Sequence, residues 1–99
     1  MEQKLKDLCD KITKEQQQRL RERKLACQDN MDNAVARYHI KRKYSYVDIG
    51  KSGAYMIDNA TSEIFSIKAY GVIHRGHRFG TLDTIDNYFW GDYRAYKLN

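Results

Sequence analysis

The first 37 residues contain no glycine, and the whole chain contains no proline. All six glycines and all eight tyrosines come later. A stretch without a residue that turns sharply or blocks an internal amide bond has few options besides helix. Residues 13–24 are nearly all polar and rich in strong helix formers. On either side, Leu5, Cys9 and Ile12, then Cys27, Met31, Ala34 and Tyr38, keep helical spacing. Residues 1–38 are therefore expected as a helical segment, either one long helix or two helices bent near Gln16–Arg19. A continuous helix would be about 55 Å long. Residues 38–99 are too few to cover that length. The segment should fold back or pair with a second copy, and a homodimer through residues 5–38 is one expectation. The polar middle argues against a regular coiled coil.

Cys9 and Cys27 lie within this segment. On one straight helix they would be roughly 27 Å apart, beyond disulfide reach. Both are expected as small buried apolar residues in a reducing compartment.

Residues 39–99 read differently. Residues 44–49 are aromatic and β-branched, and Gly50-Lys51-Ser52-Gly53 is a turn. Strands over 54–58 and 63–70 should flank the hairpin turn Asn59-Ala60-Thr61-Ser62, with Asp58 bonding the turn's amides. In the second arm Phe65, Ile67 and Ala69 alternate with Ser66, Lys68 and Tyr70, which predicts one apolar and one polar face. Residues 71–80 read as a glycine-spaced basic loop and 81–87 as a short helical turn. Residues 93–98 are a candidate fourth strand. The expected fold is α+β and one domain overall: a long N-terminal helix or helical hairpin on an antiparallel sheet of three to four strands. Cys27, Met31, Ala34 and Val35 are expected to roof the sheet.

The net charge of +5 favours polyanions, but it is spread out. Residues 1–37 carry nine basic and seven acidic groups, and 38–99 carry nine and six. No apolar run is long enough for a membrane span or a secretory leader, so a cytosolic chain without a membrane partner is expected.

The cluster His74-Arg75-Gly76-His77-Arg78 is the strongest candidate for chemistry. Glycines can expose backbone amides, and each arginine can grip a phosphate or carboxylate in two places. The alternative is that the arginines pair with Asp83 and Asp86 while the histidines pack as half-buried rings. A metal would have only His74 and His77 close in sequence, with arginines repelling it, so neither metal nor cofactor is expected. A small ribonuclease needs a base, an acid and a cation at one phosphate. His74 or His77, Glu63 and Arg75 or Arg78 supply those types, but sequence fixes no geometry among them. No catalytic residue is assigned, and the chain is read as a non-enzyme. No phosphate-binding loop, dinucleotide signature or nucleophile elbow is present.

The tyrosine excess is a second signal. A small module cannot bury all eight, so several should stand among Lys41, Arg42, Lys43, Lys68, Arg94 and Lys97. Such a surface suits stacked bases or a protein interface equally. The expected contacts are Tyr70, His74, Arg75, His77, Arg78 and Trp90, with Lys41, Arg42, Lys43 and Arg94 as further nucleic-acid or anion contacts.

Gly53-Ala54-Tyr55-Met56-Ile57-Asp58, the run from Thr61 to Gly71, and the run from Val72 to Asp86 carry a resemblance. Over roughly residues 46–93 the chain resembles small accessory proteins of bacteriophages and prophages. The resemblance implies a host-cytoplasmic, non-catalytic protein that inhibits a host defence or nucleic-acid-handling protein, in the manner of anti-CRISPR inhibitors. Direct nucleic-acid binding is the first alternative and a ribonuclease-like enzyme the second.

Overall fold

Glu2–Glu22 forms helix α1 in the computed structural model, which describes residues 2–69, 71–92 and 95–98. The helix is about 31 Å long at the usual rise per residue. Its buried residues are Leu5, Leu8, Cys9 and Ile12, the spacing of one stripe. Beyond Glu22 the chain leaves the helix. Lys24 takes a left-handed conformation (φ 59°), and the Leu25 amide donates back to the Leu20 carbonyl at 2.8 Å. A short helix α2 (Gln28–Asn33) follows. The break thus falls at residues 23–27 instead of near Gln16–Arg19. It needs no glycine because only one residue must pay the left-handed strain, a cost of about 1–3 kcal/mol.

The break returns the chain to the sheet. Strands β1 (Ala36–Ile40), β2 (Tyr44–Ile49), β3 (Ser52–Asp58), β4 (Glu63–Ala69) and β5 (Val72–Thr81) form a meander in chain order. Every neighbouring pair is antiparallel. Five strands replace the three to four expected. The additional ones are β1, half of which reads as helix in the sequence, and β5, which reads as a loop. Gly50, at φ +62°, closes the β2–β3 turn, where any Cβ would strike the Asn33 backbone. Asp58 accepts a hydrogen bond from the Ala60 amide at 2.9 Å, as the turn chemistry predicts. After a 3-10 turn (Ile85–Asn87), β6 (Tyr88–Phe89) and β7 (Tyr96–Lys97) make a separate ribbon and do not extend the main sheet.

One face of the sheet holds the core. The α1 stripe meets Ala36, Val47, Tyr55, Ile57, Ile64, Phe79 and Leu82, and Trp90 and Ala95 from the C-terminal segment close the cluster. Tyr55 sits edge-on to both Phe79 and Trp90, with ring centres 5.4 and 5.3 Å apart. Gln16 donates to the Trp90 and Asp92 carbonyls, and Glu15 accepts from the Trp90 amide. The polar middle of α1 is thus bound to the C-terminal segment through hydrogen bonds. Leu5, Leu8, Cys9 and Ile12 are already buried within the chain, so this stripe is not free for a homodimer.

The roof is also not where the sequence places it. Cys27 is exposed and Met31 and Val35 are half-buried, and only Ala34 of the expected set is buried. Cys9 is buried, and burial, helped by Asp10 and Asp48, pushes its thiol up to about 12. No described helix is long and apolar enough to cross a membrane.

Leu8→Ala should cost about 2–5 kcal/mol in denaturant unfolding, whereas Leu25→Ala, on an exposed residue, should stay within about 0.5 kcal/mol. Alkylation of the native chain should modify Cys27 and spare Cys9 until denaturant is added, read by mass spectrometry.

Candidate binding face

Register sorts the sheet residues into two faces. Tyr46, Met56, Phe65 and Arg78 form one cross-strand row, and Val47, Tyr55, Ser66 and His74 form another. Tyr55 belongs to the core under α1, so the row with Met56 and Phe65 lies on the opposite face. The alternation in β4 is correct, but its sense is inverted: Ile64 faces the helix and Phe65 faces away. Two adjacent apolar residues leave that choice open in the sequence.

The basic cluster is not a loop. Ser66 and Phe65 are neighbours on β4, yet they pair with His74 and Arg78 on β5. Arg75, Gly76 and His77 are therefore extra residues, bulged out of the ladder. Bulges redirect side chains, and this one divides the cluster between the two faces. His74 stacks on His77 with ring centres 4.1 Å apart and planes 11° from parallel. His77 Nδ1 lies 3.4 Å from Ser66 Oγ, on the helix-facing row. Arg75 and Arg78 go to the other side.

On that open face Arg75 lies over the Phe65 ring, 5.5 Å from its centre, and donates to the Tyr44 hydroxyl at 2.7 Å. Lys43 lies over the Tyr44 ring at 5.5 Å. Arg78 pairs with Glu63, with 49% and 30% of the two side chains exposed. The Arg78 hydrogen bond, then that from Thr61, lowers the Glu63 carboxyl below its usual range. Asp83 and Asp86 pair with Lys4 and Lys11, so neither neutralises the cluster. Met56 and Phe65 are buried although α1, Trp90 and the ribbon all pack on the other face. Arg75 over the Phe65 ring is part of the cover on this face. Each such cation–ring contact contributes about 0.5–1 kcal/mol at an exposed site.

Lys41, Arg42 and Lys43 form the exposed tip of the β1–β2 hairpin, where Asn59 donates to the Lys41 carbonyl at 2.7 Å. Trp90 is a correction. It is 0% exposed and its indole N–H donates to the Ile85 carbonyl, so it is part of the core. Tyr70 and Arg94 lie outside the described residues. Tyr44, Met56 and Phe65 belong to the candidate face without having been singled out by the sequence. The period-two pattern of Tyr44 and Tyr46 was the available signal. The set a ribonuclease would need is separated, with Glu63 and Arg78 on one face and both histidines on the other. Among the described residues no three metal-ligating side chains come together.

Comparison with protein-family models, with curated proteins and with solved structures finds no match in any of the three.

Glu63→Gln should destabilise the chain at neutral pH. A lowered carboxyl contributes stability above the ordinary carboxylate range and loses it as pH falls through its folded value. The wild-type and Glu63→Gln unfolding midpoints should therefore converge in acid, and a constant difference down to strong acid would contradict the pairing.

Proposed function

We propose that this chain is a non-catalytic binding protein whose open sheet face docks on an acidic surface of a partner protein. One observation carries the reading: the aromatic layer is roofed by cations. Arg75 covers Phe65 and Lys43 covers Tyr44, so two rings of the face carry a guanidinium or ammonium group. A platform for single-stranded nucleic acid needs the ring faces themselves. An acidic protein surface needs a rigid cationic layer, and arginines anchored on aromatics suit it. The phage-type resemblance would make the partner a host defence or nucleic-acid-handling protein in the host cytoplasm.

Arg78 supports the same reading in a lesser role, since its charge is shared with Glu63. The hairpin cations Lys41 and Arg42 extend the positive surface past the sheet and should act on encounter rate more than on lifetime. Direct binding of a nucleic-acid backbone is the second reading, favoured by the same cations.

Tagged wild-type chain should capture a partner from host cells, and Lys43→Glu with Arg75→Glu should lose it while circular dichroism stays unchanged. An oligonucleotide should give no mobility shift at low salt. Undiminished capture by the folded double variant would refute the reading. A salt-sensitive shift abolished by that variant would transfer the function to nucleic acid.

A further inference from the structure

We infer that the outer edge of β1 is a second docking site, which takes an extended segment of a partner protein with alternating acidic and apolar residues. The two edges of the five-stranded sheet are β1 and β5. β5 is interrupted by the bulge at Arg75–His77, a device that blocks strand addition. β1 pairs with β2 without any register shift over its whole length.

The hydrogen-bond parity of β1 is fixed at both ends. Lys41 donates to the Tyr44 carbonyl and Gly50 donates to the Val35 carbonyl, so odd-numbered residues face β2. The amides and carbonyls of Ala36, Tyr38 and Ile40 therefore point outward. Thr13 of α1 takes the Ala36 amide at 2.9 Å and closes that end. Tyr38 and Ile40 keep outward backbone groups available to an incoming strand, and Ile40 is 49% exposed.

A groove of about 400 Å³ runs beside this edge, between α1 and β1, lined by Lys6, Cys9, Asp10, Ala36, Arg37 and Tyr38. Strand addition takes its affinity from the main chain and its selectivity from pockets for alternate side chains. Alternate residues of an added strand would fall in the groove, against Cys9, Ala36 and the Tyr38 ring. The others would lie on the open side beside Arg37 and His39, which face Asp48 across the ladder, continuing toward the exposed Lys41, Arg42 and Lys43. Small apolar side chains fit the first set and carboxylates the second. A second copy of this chain does not fit. Antiparallel self-pairing centred on Tyr38 would set Arg37 opposite His39 and bring both hairpin tips' cations onto a single sheet.

The probe is a short fluorescein-labelled peptide alternating glutamate and valine, titrated into the full chain by anisotropy, with a lysine–valine peptide as control. The acidic peptide should bind and the basic one should not. Ile40→Pro removes an outward amide at the end of an edge strand, where proline is tolerated, and should weaken binding about tenfold or more. Amide exchange of the wild-type chain gives a readout independent of that variant. Tyr38 and Ile40 should exchange fast when free and slow with peptide bound. No binding at millimolar peptide, equal binding of both peptides, or shifts confined to Tyr44 and Arg75 would overturn the site. So would concentration-dependent self-association that protects the same two amides. Arg75 is not part of this edge, so loss of peptide binding on Ile40→Pro with partner capture intact separates this site from the open face.

Discussion

A single amphipathic helix can cover only one face of a five-stranded sheet, and the rest of this structure follows from that constraint. The stripe Leu5, Leu8, Cys9 and Ile12 meets Val47, Tyr55, Ile57 and Ile64, and Trp90 closes the same side. Among the described residues, α1, Trp90 and the β6–β7 ribbon all pack there. On the other face Met56 and Phe65 are also buried, and Arg75 lies over the Phe65 ring. Arginine and lysine suit such a position, because their stems cover apolar surface while their charges stay in water. A cationic layer over aromatics is thus a packing solution first, and the proposed recognition surface follows from it.

The β5 bulge links those two roles. In a regular strand Arg75 and His77 would share one face and His74 would take the other. With the bulge, the histidines stack beside Ser66 on the helix side while Arg75 reaches across to Phe65 and Tyr44. The same bulge spoils β5 as a template for another strand, which leaves β1 as the regular edge. The arginine layer and the regular edge therefore fall on different parts of the molecule.

Much of the fold was legible in the sequence. Helix periodicity located the α1 stripe, and the turn residues Gly50 and Asp58 marked two hairpins. What was not legible has specific causes. Lys24 adopts a conformation that glycine usually signals, so the helix break was invisible. The adjacent pair Ile64–Phe65 gave no rule for which side faces the helix. Glycines in 71–80 suggested a loop, although Gly76 sits within a bulged strand and Gly80 at φ +69° near its end. Of the site, Arg75 and Arg78 were legible by residue type, but the Phe65 ring under Arg75 and the Glu63 carboxylate on Arg78 were not. Trp90 was misjudged because a large amphipathic ring serves a core or an interface equally well.

The most direct measurement is hydroxyl-radical footprinting of the chain alone and bound to its captured partner. The account expects strong protection of Tyr44 and Tyr46 on the open face, with Leu25 and Leu98 unchanged on binding. Protection concentrated on Leu25, Tyr96 and Leu98, with Tyr44 and Tyr46 still reactive in the complex, would contradict it.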